Sequence, residues 1–195
     1  MAREPQATGP IATRRSVASP ADGGGVTITV LQGQFHVTRD EDVMLATILG
    51  SCVAACIRDP VARVGGLNHF LLPDGDNESG GSTLKYGVHA MELLINGILA
   101  EGGRRERLTA KLFGGARMAA NLPDIGRRNA AFAEEFLRRE GIRQEGGSLL
   151  GQTARRIQFW PVSGRTRQGR AAAASAAGRP NPAPFLPEPS DVELF

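Results

Sequence analysis

A chain of 195 residues with 41% hydrophobic and 22% charged side chains holds enough apolar matter for one globular domain with a modest core. Its net charge of +3 comes almost wholly from arginine, since Lys85 and Lys111 are the only lysines; the arginines are scattered, and Trp160 and Tyr86 stand alone, which speaks against a nucleic-acid surface. Two cysteines, no signal-type apolar segment and no apolar run long enough to span a membrane exclude a disulfide framework and membrane insertion, and point to a reducing cytoplasm.

Residues 1–25 contain Pro5, Pro10, Pro20 and Gly23-Gly24-Gly25 without apolar periodicity, so a disordered N-terminal tail is expected. Val26-Thr27-Ile28-Thr29-Val30 alternates as a strand should, and Gly33 to Val37 is expected to pair with it after the intervening turn. Leu45 to Leu49 is apolar and leads into Gly50-Ser51. Cys52 to Ile57 is continuously apolar and ends at the turn signal Asp59-Pro60, the length and ending of a buried strand. Val64 to Leu72 reads the same way, closed by Pro73-Asp74-Gly75.

Leu84, Val88, Met91, Ile95 and Ile98 recur at steps of four and three, which predicts a helix with that face inward and Gly102-Gly103 as its stop. Lys111-Leu112-Phe113 is a short strand running into Gly114-Gly115, and Asn129 to Glu140 a second helix with Phe132, Phe136 and Leu137 inward and Gly141 as its stop. Ala154 to Trp160 and Arg165 to Gln168 flank Pro161 to Gly164 as a closing hairpin. From Gly169 onward an alanine run and five prolines between Pro180 and Pro189 predict a disordered C-terminal tail, leaving one domain over residues 26–168. Strands with two intervening helices argue an α/β or α+β domain.

Cys52 follows Gly50-Ser51 at the edge of its apolar run, and His69 sits between Asn68 and Phe70 near the end of the next one. A thiol attacks a carbonyl carbon well only as thiolate, and a neighbouring imidazole is the usual way to generate one near neutral pH. Gly50 and Ser51 let the backbone turn tightly, so that its N–H groups could face a developing oxyanion. Cys56 lies inside the run and reads as core; on a strand, four residues span roughly 13 Å, too far for a disulfide to Cys52. A zinc site from Cys52, Cys56, His69 and His89 lacks a second ligand at helix spacing beside His89. Thr47 is either a hydroxyl that orients His69 or an ordinary β-branched strand residue.

Several segments in order resemble the chemoreceptor glutamine deamidases, the CheD family of bacterial chemotaxis. They are Leu49-Gly50-Ser51-Cys52-Val53-Ala54-Ala55-Cys56, Asp59-Pro60, Gly65-Gly66-Leu67 with His69 and Leu72-Pro73, Lys85-Tyr86, Ala110-Lys111-Leu112-Phe113-Gly114-Gly115-Ala116-Arg117-Met118, and Ile125-Gly126-Arg127-Arg128-Asn129. The late segment departs, because Glu145-Gly146-Gly147 has no aspartate before its glycine pair. The resemblance implies a Cys-His-Thr triad of Cys52, His69 and Thr47 on a layered fold like the catalytic domain of cytotoxic necrotizing factor toxins. It implies a protein-glutamine deamidase acting on the cytoplasmic helical region of chemoreceptors without metal or organic cofactor, with glutamyl methyl ester hydrolysis open to the same chemistry. It also implies partnership with a CheC-type phosphatase, so a non-catalytic binding role stands as the alternative, as does a cysteine amidohydrolase or acyl transferase acting on another protein.

Overall fold

The computed structural model describes residues 15–17, 25–73, 81–118 and 124–171, and within them the continuously apolar run ahead of Asp59 sorts its side chains to two opposite cores. In chain order the strands are β1 (Arg15–Val17), β2 (Val26–Thr29), β3 (Phe35–Thr38), β4 (Val43–Leu49), β5 (Val53–Asp59), β6 (Val64–Asn68), β7 (Thr109–Gly114), β8 (Arg143–Leu149), β9 (Arg155–Trp160) and β10 (Arg165–Arg170). Helix α1 (Gly81–Ala100) precedes β7 and α2 (Ile125–Arg139) follows it. One sheet runs β1-β2-β4-β9-β10 and the other β3-β6-β5-β7-β8.

Because strand side chains alternate, β5 sends Val53, Ala55 and Ile57 to the helices and Ala54 and Cys56 to the opposing sheet. The first core takes Met91, Leu94, Ile95 and Ile98 from α1 and Ala130, Ala133, Phe136 and Leu137 from α2. The second lies between the sheets, where Ile28, Leu45, Leu49, Ile157 and Phe159 meet Leu67 and Phe113. A central strand buried on both faces carries no alternation, so its sequence reads as an unbroken apolar run. The result is a three-layer α+β domain, as expected.

Four expectations need correction. The segment after the first turn does not pair with β2: β3 crosses to the other sheet and runs antiparallel to β6, Phe35 opposite Asn68 and Val37 opposite Gly66. Gly66 permits this, since a Cβ there would stand 2.4 Å from the His36 carbonyl oxygen. On α1, Leu84 and Val88 are 54% and 42% exposed, and the inward stripe runs through Gly87, Met91, Leu94, Ile95 and Ile98. Gly87 faces Phe132 and Leu72, a contact with no room for a side chain and no hydrophobic signature. Fully burying a large apolar side chain contributes about 1.5–3 kcal/mol, so the four residues from Met91 to Ile98 set the rotation of the helix and the first turns follow.

The third correction concerns the ends. Residues 15–17 fall within the segment expected to be disordered, yet they form β1 against β2; β10 likewise runs to Arg170, past the expected boundary. The remainder of both tails lies outside the described residues. Strand β8, exposed along most of its length and paired in parallel with β7, carries no apolar pattern that would announce it. Helix α2 starts at Ile125 rather than Asn129 because the Asp124 side chain caps it, accepting from the Arg127 N–H at 3.0 Å. It ends as read, at Gly141 with φ 65°.

Candidate active site

The Cys52 and His69 segments meet where strands β5 and β6 run out. Val53 and Phe70 form an isolated antiparallel bridge, exchanging N–H···O bonds of 3.0 and 2.9 Å. In that register His69 stands opposite Ala54, two residues on from Cys52, so both side chains fall on the face turned to the other sheet. Diagonal neighbours of this kind lie about 7–8 Å apart.

Thr47 comes from that other sheet. On β4 it shares a face with Leu45 and Leu49, which point into the inter-sheet core, and its Oγ1 stands 2.9 Å from His69 Nδ1. The same hydroxyl donates its single proton to the Val30 carbonyl at 2.8 Å. Toward His69 it can therefore only accept, so Nδ1 carries the hydrogen and the neutral ring presents its lone pair at Nε2. Nε2 is buried and has no hydrogen-bond partner among the described residues. A buried unpaired acceptor is costly, and this one is held in place by the Thr47 contact.

The chain around Cys52 is fixed through its carbonyls. Ala116 N–H donates to Gly50 O at 2.9 Å, Asn129 Nδ2 to Ser51 O at 2.9 Å, and Gly115 N–H to Cys52 O at 2.8 Å. A peptide is planar and trans, so tethering the Gly50 and Ser51 oxygens aims the Ser51 and Cys52 N–H groups the opposite way. Asn129 is fully buried on α2, and its Oδ1 accepts from Leu72 N–H at 2.9 Å, three residues past His69. One side chain thus ties the cysteine turn to the histidine segment.

The thiol is half-buried, and its Sγ donates to Gln32 Oε1 at 3.4 Å rather than to His69. Hydrogen bonds between such groups are often loose before substrate arrives. Burial pushes the Cys52 thiol above its usual 9.0, partly offset by a hydrogen bond from its own backbone. Burial likewise holds His69 below its usual 6.5, partly offset by hydrogen bonding to the Val30 backbone. The resting pair is therefore neutral thiol beside neutral imidazole.

Cys56 is buried and both cysteines are free; burial drives the Cys56 thiol far upward. His89 lies exposed on α1 and His36 half-buried in β3. Gln32 and Asn129 carried no assignment from sequence: the residues they meet lie 20 and 78 positions away, and no local pattern encodes such contacts.

The family model described as "CheD chemotactic sensory transduction" matches residues 71–170. A protein of Caulobacter sp. (strain K31), named "Probable chemoreceptor glutamine deamidase CheD", is 52% identical over 178 residues, covering 89% of this chain and 95% of its own. One of the same name from Caulobacter vibrioides (strain NA1000 / CB15N) is 54% identical over 175 residues, 87% of this chain and 94% of its own. The crystal structure of the Bacillus licheniformis hypothetical protein YfiH overlays 58% of this chain and 49% of its own with a TM-score of 0.40 at 15% identity.

Proposed function

The chain belongs to the CheD family, and from that premise we propose that it hydrolyses glutamine side-chain amides in the cytoplasmic helical region of chemoreceptors, using Cys52, His69 and Thr47. The observation that carries the reading is the pair of Thr47 Oγ1 contacts, to Val30 O and to His69 Nδ1, from which the His69 tautomer follows. With its hydroxyl proton on Val30, Thr47 accepts from Nδ1 and leaves a buried lone pair at Nε2 that has no partner among the described residues.

As the carboxamide carbon approaches, Nε2 takes the thiol proton and Cys52 Sγ attacks, so thiolate forms only as the C–S bond forms. The Ser51 and Cys52 N–H groups donate to the oxyanion. Imidazolium then returns its proton to the departing nitrogen, ammonia leaves, and a thioester remains. Water, deprotonated at Nε2, cleaves the thioester to glutamate and free thiol. A glutamyl methyl ester is open to the same sequence with methanol leaving.

A helical substrate suits the surroundings. Leu31, next to Gln32, and Met118, packed on Gly50, are large apolar residues that stay 53% and 54% exposed near the cysteine turn. Among the described residues no helix is long and apolar enough to cross a membrane.

Peptide mass spectrometry of receptor cytoplasmic fragments, incubated with the protein or its Cys52→Ala variant, tests the reading. Glutamine converted to glutamate only by the intact protein supports it. No conversion across several receptors by folded, reduced protein sinks it. An unchanged effect of Cys52→Ala on a CheC-type phosphatase would then favour the binding role.

A further inference from the structure

On the deamidase reading above, we propose that Gln32 recognises the substrate carboxamide and sets a preference for glutamine amide over glutamyl methyl ester. Its Oε1 lies 3.4 Å from Cys52 Sγ. A carbon poised for attack sits about 3–3.5 Å from its nucleophile, so the groups bonded to that carbon come within reach of the same oxygen.

The turn that carries Gln32 is built onto the base. Gln34 N–H closes it on Leu31 O at 3.0 Å, with Gly33 at φ 81°. Gly33 N–H then donates to His69 O at 2.7 Å, and His69 N–H donates to Gln34 O at 3.0 Å. Gln32 is thereby registered to His69 through main-chain bonds on both sides. The Gln34 side chain is engaged within the turn, accepting from Leu31 N–H at 3.2 Å, whereas the Gln32 amide is directed at the thiol.

A primary carboxamide is the complement of another, since each offers N–H to the other's oxygen. In the free protein the Gln32 oxygen rests on the S–H, and an arriving carboxamide exchanges that weak bond for N–H···O. A methyl ester has no N–H to give, so the Gln32 oxygen loses its donor. Gln32 is exposed, and water softens that loss, which sets the discrimination at about tenfold.

The test needs no receptor. Iodoacetamide carries the substrate's carboxamide and methyl iodoacetate the matching ester; the Cys52 thiolate displaces iodide from either and forms a C–S bond. Alkylation rates at Cys52 are followed by intact mass, each reagent normalised to glutathione, for the wild type, Gln32→Leu and Gln32→Glu, with Cys52→Ala as the blank. The wild type is expected to favour iodoacetamide by about tenfold. The preference collapses in Gln32→Leu and survives in part in Gln32→Glu, whose carboxylate still accepts an amide N–H. Equal normalised ratios in wild type and Gln32→Leu overturn the proposal. Cys52-dependent conversion of Gln32 itself to glutamate also overturns it, since the residue is then a substrate. A shifted ratio without receptor deamidation sinks the receptor reading and leaves amide recognition standing.

Discussion

Strands β5 and β6 carry polar clusters at both ends, and the two are built on opposite principles. Past Asp59 the chain turns, and the Asp59 carboxylate, fully buried, is saturated: Oδ1 accepts from the Val61 and Ala62 N–H at 2.9 and 3.0 Å. Oδ2 accepts from the Arg104 N–H at 2.9 Å and from Arg107 Nε and Nη2 at 2.9 and 2.7 Å. At the other end Cys52 and His69 hold one weak bond at sulfur and an unpaired Nε2. Burial penalises charge at both. At Asp59 the Arg107 guanidinium and three backbone N–H groups overcome that penalty and hold the carboxyl at about 2, whereas at Cys52 and His69 burial prevails. Satisfied groups fix the fold, and unsatisfied ones keep a proton and a lone pair available for chemistry.

Exchanging damage between the two ends breaks the comparison most sharply. Cys52→Ala is expected to remove turnover by at least about 10³-fold while moving the urea midpoint by less than about 1 kcal/mol equivalent. Asp59→Ala is expected to do the reverse. It strands Arg107 and three N–H donors, costing about 3–5 kcal/mol, and leaves the kcat of the folded fraction near wild type. Urea titrations paired with deamidation rates decide it, and a stability loss for Cys52→Ala equal to that for Asp59→Ala would erase the division of labour.

A smaller effect isolates Thr47. Thr47→Val keeps the shape and removes the hydroxyl, so Nδ1–H loses its acceptor and the ring can adopt the other tautomer. A loss of about 10- to 100-fold in kcat is expected, with KM little changed and Thr47→Ser restoring most of it. A rise in KM at constant kcat would place Thr47 in substrate binding instead.

What was legible in the sequence follows the same line. Cys52 and His69 could be singled out because cysteine and histidine on apolar segments, the cysteine beside Gly-Ser, are local chemical signals. The inter-sheet core could be read in part, because β5 announces burial on both faces. Thr47 by itself was ambiguous between a strand residue and an orienting hydroxyl; its partners Val30 and His69 lie 17 and 22 residues away. Gln32 and Asn129 act through contacts that only the assembled fold creates. The pairing of β3 and the close packing of the first turns of α1 use glycines at close approaches, Gly66 and Gly87, where the telling property is an absent side chain. Strand β8 is held mainly by main-chain bonds along an edge, which hydropathy cannot see.

The smallest effect, and the sharpest for the chemistry, is the separation of two pH windows. His69 is depressed below 6.5, so its lone pair is free at neutral pH and kcat/KM should fall only as pH drops below 6.5. The imidazolium is also disfavoured by folding, so a minor loss of stability accompanies that limb. Asp59, at about 2 when folded against 3.8 ordinarily, contributes stability that is complete above 3.8 and is lost as pH falls toward 2. The shift amounts to about 2–3 kcal/mol. Between these windows the protein should be folded and inactive, a state that circular dichroism and initial rates on the same samples would reveal. On the alkaline side Cys52 stays a thiol until above 9.0, so alkylation by iodoacetamide should rise only there while the rate of deamidation stays level. Alkylation already half-maximal near pH 6 would mean a preformed thiolate–imidazolium pair. The two ends of the hairpin would then be alike in holding stable buried charge.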